Sequence, residues 1–439
     1  MDNLTLKQRA AGIFQTANSL ADELAATGHP EPTFQHGLSP HLYGDAPQST
    51  ARDLKQQLLR MVDELRALLT EPAALLAPEM NSFPTLSVHP LVRLGIAENF
   101  PDQGSSVSGL ARSLHLREDV VRRLLKHSAA HHIFYEAEPD FYIHTAASRH
   151  LSQNKGMRDW VFVGAEEVLP GLLKIADALE QYPGSEEPEH CGWNIAHNIA
   201  DPAFKALARM PERAAKIAGT MNWQIQTPGF SPHYLAEAFP WERKDTNCEN
   251  GDPNPELTIV DVGGGLGHIS RALAAYSSSN VSIPPAKFIV QDMPDIVAAG
   301  EALLPAPLKD RVRFQAHDFF TPQPASLHGA DVYLLRSVLH DWSDKYAAMI
   351  LRSLTPALKK GSIVLINERV VPGFREAHYL VERPLREFDL IMMSFQNARE
   401  RTRDDWERLI AAADGRFWLT DVRQQEGSSL AVIEVTWMG

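Results

Sequence analysis

Apolar residues recur at spacings of three and four along the first 25 residues, which predicts an amphipathic helix. Its apolar face consists of Leu6, Ala10, Ile13, Phe14, Ala17, Leu20, Ala21 and Leu24. The same spacing over residues 51–69 predicts a second such helix. Little of the chain lies near its beginning to cover this face, so we expect docking on a second domain or a second subunit. Residues 28–49, rich in Gly, Pro, His and Ser, are predicted to be irregular.

The pattern between residues 90 and 151 changes to short helices followed by a strand pair. The predicted elements are helices over 108–114 and 118–130 and strands over 133–136 and 141–144. This outline is typical of a winged helix, which brings in DNA binding as one interpretation. Arg122, Arg123 and Lys126 lie on the second helix, but a few basic residues usually form a solvated face.

Large apolar side chains occur at helical spacing over residues 156–240. Such residues usually form a core, but Trp160, Trp193, Met221 and Trp223 are also candidates to line a pocket for a flat, apolar ligand. Residues 242–256 are polar and contain Asn, Asp, Gly and Pro, which predicts a linker or surface loop.

Strand-like and helical segments then alternate, which predicts right-handed crossovers and a doubly wound parallel sheet of the α/β class. The predicted strands are 257–261, 287–291, 312–316, 331–335 and 362–367, followed by a hairpin-like pair at 417–422 and 430–437. The length of 439 residues exceeds what one compact core usually absorbs. We therefore expect a helical, winged-helix-like region over 1–150, a helical connecting region over 151–245 that lines the substrate pocket, and a Rossmann-like domain over 246–439.

A glycine-rich turn follows the first of these strands, in the order Asp261-Val-Gly263-Gly264-Gly265-Leu-Gly267-His268. Glycine allows a sharp turn and close approach of a ligand, and the following helix offers free N–H groups. A dinucleotide fold needs a glycine where His268 stands, and no Walker lysine follows. The spacing after an acidic residue is the pattern of S-adenosyl-L-methionine (SAM) binding, and a purely structural turn is the alternative.

Acidic residues at the ends of the next two predicted strands agree with a nucleoside ligand. Asp292 ends the second strand, where a carboxylate can accept both ribose hydroxyls. Asp318-Phe319 ends the third, where an acid and an aromatic ring can hold an adenine. Each acid alone is more often a cap or turn residue, so the prediction depends on their order along three strand ends.

Composition narrows the classes of function. The chain has 42 Lys and Arg against 55 Asp and Glu, a net charge of −13, and such a surface repels phosphate backbones. Cys191 and Cys248 are too few for a disulfide framework. There is no apolar run of the roughly 18–20 residues that span a bilayer, and the first residues lack a secretory signal pattern. We expect a soluble, cytoplasmic protein without a nucleic-acid or membrane partner and without a metal.

The sequence resembles, over nearly its whole length, the class I SAM-dependent O-methyltransferases of the caffeic acid type in their fungal polyketide-tailoring form. The resemblance rests on Val260-Asp-Val-Gly-Gly-Gly265, Gln291-Asp-Met-Pro294, His317-Asp-Phe-Phe320, Leu339-His-Asp-Trp-Ser-Asp344, Ile366-Asn-Glu-Arg369 and Arg399-Glu-Arg-Thr402. The His-Asp-Trp-Ser-Asp and Glu-Arg-Thr stretches are specific in combination. Arg336 stands where plant relatives usually have lysine, and the loop before Glu-Arg-Thr is shorter here.

The resemblance implies that His340 is the general base for a hydroxyl acceptor and that Glu368 and Glu400 orient its ring. It also implies a homodimer formed by the N-terminal region. The expected cofactor contacts are Gly263, Gly265, Asp292, Met293, Asp318, Phe319 and Arg336, and the expected substrate contacts are Trp160, Met221 and Asp341. A histidine with a pKa near 6.5 can take the proton of a phenol as its oxygen attacks.

Two other classes of function stay open. Some fungal proteins similar to this family hold SAM as a fixed positive charge and catalyse dehydration or pericyclic ring formation on polyketide or pyridone intermediates. A retained base serves that chemistry as well as methyl transfer. A winged-helix regulator is the third class, and the negative charge of the chain disfavours it.

Overall fold

The protein is described by a computed structural model that covers residues 4–35, 49–71, 84–241, 257–279 and 285–439. The predicted linker over 242–256, most of the predicted irregular segment over 28–49, and Cys248 lie outside the described residues. Backbone contacts divide the chain into two compact units, Met1–Glu167 with Met210–Gln224, and Val168–Arg209 with Ile225–Gly439. The stretch 151–245 contributes to both units, and the three predicted regions stay a prediction.

The first part of the chain is helical apart from a small antiparallel sheet, in the order β1-β3-β2. Its helices are α1 (Leu6–Ala26), α2 (Thr50–Leu69), α3 (Thr85–Arg93), α4 (Val107–Ser113), α5 (Glu118–Ala130), α6 (Ala146–Gln153) and α7 (Lys155–Val163), and its strands are β1 (Ser105–Ser106), β2 (Phe134–Glu138) and β3 (Phe141–His144). The predicted helices and strands over 108–144 are thus confirmed to within about two residues at each end.

Apolar stripes build the cores of this part. Thr5 caps α1, since its hydroxyl accepts the amide hydrogen of Gln8, and Leu20 and Leu24 of α1 are buried together with Ala51 of α2. The winged-helix-like portion has a separate core of twelve buried apolar residues, which combines α3, α4 and α5 with β2 and β3. In the described part of the chain, no helix is long and apolar enough to cross a bilayer.

Short helices follow as far as residue 238. They are a π-helical turn over Gly164–Val168, then α8 (Leu169–Leu172), α9 (Ile175–Gln181), α10 (Gly192–His197), α11 (Ala203–Leu207), α12 (Pro211–Ile225) and α13 (Pro232–Ala238). Nearly all of α12 belongs to the first unit, and the helices on either side of it to the second.

The second unit is built on a seven-stranded sheet in the order β11-β12-β8-β7-β4-β5-β6. The strands are β4 (Leu257–Val262), β5 (Ala286–Asp292), β6 (Val312–Ala316), β7 (Val332–Arg336), β8 (Ile363–Glu368), β11 (Phe417–Arg423) and β12 (Ala431–Trp437), and a separate two-stranded pair joins β9 (Val370–Val371) to β10 (Arg401–Thr402). The helices are α14 (His268–Ser279), α15 (Pro294–Ala302), α16 (Asp344–Leu354), α17 (Tyr379–Gln396) and α18 (Arg403–Ala413). The doubly wound fold is confirmed.

Strand order determines where this sheet opens. The five strands β8, β7, β4, β5 and β6 are parallel, and β12 and β11 are antiparallel at one edge. From β4 the chain runs outward to β5 and β6, then returns to β7 on the other side of β4. The carboxyl ends of β4 and β7 are therefore a topological switch point, where doubly wound folds bind ligands.

Candidate active site

The glycine turn lies at the carboxyl end of β4. Gly263, Gly265 and Gly267 have φ of 71°, 57° and 73°, which L side chains rarely adopt. A Cβ added at Gly267 would lie 2.7 Å from the ring of Phe314, whereas a Cβ added at Gly265 would have nothing within 4 Å. Packing of the sheet thus requires Gly267, and Gly265 leaves open space above the main chain.

Two acidic side chains support this turn. Asp292 lies at the end of β5, and its Oδ2 accepts a hydrogen bond from the amide of Gly265 at 2.9 Å while Oδ1 accepts from the amide of Met293 at 2.8 Å. Asp261 is buried beneath the turn and accepts from the hydroxyl of Ser270 at 2.6 Å. Burial raises the pKa of Asp261 to about 6 and also raises the pKa of Asp292.

The other candidate cofactor residues lie around the same switch point. Phe319 packs near the turn, since a Cβ at Gly263 would lie 3.8 Å from its ring, and Asp318 follows β6 and caps its own turn by accepting from the amide of Phe320. Met293 is more than half exposed. The open Gly265 backbone beside a carboxylate and an aromatic ring fits the nucleoside and amino-acid parts of SAM.

Arg336 has hydrogen-bond partners within the chain, and its expected contact with the adenosyl group stays a prediction. It ends β7, and its guanidinium donates to Oδ1 of Asn367 and to the carbonyl of Phe230, both at 2.6 Å. Burial lowers its pKa to about 10, against the attraction of Asp261. These contacts give Arg336 a structural role within the unit, because it ties the loop at Phe230 to the sheet.

His340 lies in a single helical turn, Leu339–Asp341, directly after β7. Ser337, which lies between β7 and this turn, is a non-glycine residue with φ of 51°. Nδ1 of His340 lies 2.9 Å from Oε1 of Glu400, and Nε2 lies 3.7 Å from Oδ1 of Asp341. An Nδ1–H bond to Glu400 leaves the lone pair on Nε2, which is the arrangement of a histidine that can accept a proton.

Glu368 has its hydrogen bonds with the backbone of this turn. It ends β8, and its Oε1 accepts from the amides of Val338 and Leu339 at 2.8 and 2.9 Å. The hydrogen bond with the imidazole belongs to Glu400, and the orienting roles expected of both glutamates stay a prediction. Glu368 positions the main chain that carries His340.

The charges around His340 alter its protonation. Burial lowers the pKa of His340, but the charges of Asp341 and Glu368 and the hydrogen bond with Glu400 outweigh burial and raise the pKa to about 10. Burial raises the pKa of both Glu368 and Asp341. For Glu400, the hydrogen bond and the charge of His340 overcome burial and lower the pKa. These carboxylates therefore favour the protonated form of His340, which is the form that results when it has accepted a proton.

Two arginines for which no role was predicted from the sequence also lie next to the turn that carries His340. Arg401 is fully buried and donates to the carbonyls of Leu339 and Trp342 and to Oδ1 of Asp344, each at 2.8 Å. Arg369 is buried beside Glu400 and lies 3.9 Å from the centre of the Phe388 ring. Both arginines belong to motifs on which the family resemblance rests, so their place in those motifs could have pointed to them.

The candidate substrate residues fall in different units. Trp160 and Met221 belong to the first, where the rings of Trp160 and Trp223 lie 5.7 Å apart, whereas Asp341 belongs to the second. Trp193 is fully buried in the second unit against Phe395, as a core residue is. The substrate contacts stay a prediction. Among the described residues, no group of three His, Cys, Asp or Glu side chains is arranged to hold a metal ion.

A doubly wound sheet with a glycine turn at its switch point, and a histidine–carboxylate pair at the same edge, defines the class of Rossmann-like SAM-dependent enzymes. The comparisons agree. Residues 253–415 match the family model of the O-methyltransferase domain. A grayanic acid biosynthesis cluster O-methyltransferase of Cladonia grayi is 36% identical over 435 residues, which cover 98% of this chain and 87% of the relative. The chain therefore belongs to the O-methyltransferase family, and its cofactor is SAM.

Solved structures share the fold. LepI in complex with SAM aligns with a TM-score of 0.73 at 24% identity, over 88% of this chain and 94% of that chain. A pericyclic reaction enzyme aligns with a TM-score of 0.72 at 26% identity, over 89% of this chain and 96% of that chain. The fold is thus shared with a structure that contains SAM and with one described as a pericyclic reaction enzyme.

Proposed function

We propose that this enzyme methylates a hydroxyl group of an aromatic or polyketide-type secondary metabolite, with His340 as the general base. The observation that carries the proposal is the 2.9 Å contact between His340 Nδ1 and Glu400, which leaves Nε2 as the proton acceptor at the edge of the sheet that carries the glycine turn. The relative from a grayanic acid biosynthesis cluster supports the assignment to secondary metabolism.

The protein's own groups have separate tasks in this proposal. The Gly265 backbone and Asp292 hold the cofactor, which supplies an electrophilic methyl group. Nε2 of His340 takes the hydroxyl proton as the acceptor oxygen attacks, and Glu400 stabilises the imidazolium that results.

The test combines product identity with a His340→Ala variant. The enzyme is incubated with SAM and a panel of phenolic and pyridone metabolites, and both S-adenosylhomocysteine and product mass are followed. We expect a product heavier by one methylene unit, and a turnover about 10²–10⁴-fold lower in the variant. Calorimetry is expected to give nearly the same SAM affinity, because the base acts mainly in the transition state. His150→Gln, at an exposed histidine of α6, is the matched control.

The same experiment tests pericyclic or dehydration chemistry, the second candidate function. The similarity to a pericyclic reaction enzyme, at 26% identity, supports this second candidate function. Pericyclic or dehydration chemistry is supported if the product is rearranged or dehydrated and no S-adenosylhomocysteine forms. The His340→Ala variant should then lose this product while it still binds SAM. This outcome would contradict methyl transfer.

A homodimer formed through the N-terminal region is the proposed assembly. The proposal rests on the apolar side chains that α1 and α2 expose, among them Leu6, Phe14, Val62 and Leu68. Light scattering at micromolar concentration is expected to give twice the mass of the chain, 48.8 kDa. A monomer at that concentration, or tight salt-sensitive binding of DNA, would contradict this assembly.

A further inference from the structure

Arg369 is held in an unusual way for a buried cation. It follows Glu368 directly, and its side chain is only 9% exposed. The ring of Phe388 lies 3.9 Å from its Cζ, and the ring of Phe230 lies 5.2 Å from it. Aromatic faces attract a guanidinium, but they provide no acceptor for the N–H groups in its plane.

In the described part of the chain, Arg369 has few polar contacts. Among the described residues, its one ion pair joins Nη1 to Oε1 of Glu400 at 3.6 Å, longer than a hydrogen bond. Arg401, which is buried at least as deeply, donates to three oxygens at 2.8 Å. Buried charged groups are normally hydrogen-bonded, so the N–H groups of Arg369 are suited to a partner from outside the chain.

These donors lie next to the candidate base. Oε1 of Glu400 contacts both Arg369 and Nδ1 of His340, and the ring of Phe388 stacks on the imidazole with a centroid distance of 6.0 Å and an angle of 12°. The base and the guanidinium therefore adjoin the same carboxylate and the same aromatic ring. Arg369 is therefore a candidate partner for a substituent next to a hydroxyl that reaches His340.

We propose that Arg369 binds a carboxylate that the acceptor carries next to the methylated hydroxyl, so that the enzyme prefers hydroxylated aromatic acids. The inference rests on the proposed function, because it takes His340 as the position of the hydroxyl. A guanidinium matches a carboxylate with two parallel N–H donors, and a neutral acceptor leaves those donors without that partner. Asp341, Glu368 and Glu400 would repel an anion, so a positive group in this place is what permits an acidic acceptor to bind.

The test is a binding measurement that is independent of methyl transfer. 2,4-Dihydroxybenzoate, its methyl ester and resorcinol are each titrated by calorimetry into the enzyme saturated with S-adenosylhomocysteine. We expect the acid to bind roughly 10-fold to 100-fold more tightly than the ester and resorcinol. Arg369→Gln is expected to abolish this preference, and Arg369→Lys, which keeps the charge without the fork, to retain part of it. Arg403→Gln, at an exposed arginine of α18, is expected to retain all of it.

Several results would overturn the inference. They are equal binding of acid and ester, no saturable binding of the acid, or a preference that survives in Arg369→Gln with its circular dichroism unchanged. If Arg369→Gln does not fold, the reduced preference of a folded Arg369→Lys decides the question. Methylation is scored separately. A preference that depends on Arg369 without any methylation contradicts the proposed function alone, and methylation of all probes without preference contradicts the inference alone.

Discussion

Glu400→Gln tests how the charge beside His340 controls its basicity. The substitution keeps the shape and an oxygen that can accept from Nδ1 of His340, but it removes the negative charge now 2.9 Å away. An opposite charge at such a distance in a buried site changes a pKa by about 1–3 units. The pKa of His340, about 10 in the present protein, is therefore expected to fall by that amount in the variant.

Two measurements follow from this fall. A base is active only above its pKa, so the rising limb of kcat/KM against pH, measured with saturating SAM, is expected to move about 1–3 units toward acid. The plateau is expected to drop, because a weaker base assists proton removal less. The pKa of His340 itself is measured by following its imidazole signal in NMR spectra over the same pH range.

Stability gives an independent readout with a defined sign. A histidine whose pKa is raised on folding stabilises the fold fully below its unfolded value, near 6.5, and loses that contribution as pH rises through about 10. Glu400→Gln is therefore expected to cost about 1–4 kcal/mol more at pH 6 than above pH 10. Glu407→Gln, at an exposed glutamate of α18, is the control. An unchanged pH profile together with a pH-independent loss of stability would refute the reasoning.

Three further substitutions test the cofactor site. Asp292→Ala removes the acceptor of the Gly265 amide and the expected ribose contact, so calorimetry should give SAM binding weaker by roughly 1.5–3 kcal/mol, and unchanged affinity would count against Asp292. Gly267→Ala introduces a Cβ 2.7 Å from Phe314 at a φ of 73° and should lower the melting temperature. Gly265→Ala has the same kind of backbone strain, at a φ of 57°, but its Cβ meets no protein atom, so it should lower the melting temperature less than Gly267→Ala and weaken SAM binding more. Equal melting losses in both variants would contradict this distinction.

The fold of the second unit could be predicted from the sequence because its strands and helices are determined by patterns of neighbouring residues. The parallel strands are short apolar runs between helical segments, and the structure has each of them within one or two residues of the predicted bounds. The glycine turn was equally accessible, since positive φ at Gly263, Gly265 and Gly267 is a property of the residues themselves.

Contacts between side chains that are distant in the sequence were harder to predict. The motif containing Glu368 pointed to His340, but whether its carboxylate meets the ring or the backbone depends on how β8 and β7 pair in the sheet. Arg336 matched a cofactor-binding position by its charge, but its hydrogen bonds with Asn367 and with the carbonyl of Phe230, 31 and 106 residues away in the chain, could not be read from the sequence. Such partners are determined by tertiary packing, which periodicity and spacing do not encode.

The turn that carries His340 is held independently of any ligand. Glu368 accepts from the amides at its beginning, Arg401 donates to the carbonyls of Leu339 and Trp342 on either side of the histidine, and Glu400 holds the ring. These side chains come from β8, from β10 and from the residue before β10, so folding of the unit fixes both the main chain and the imidazole. A base held in this way needs little reorganisation when an acceptor binds, which is the condition under which positioning contributes most to rate.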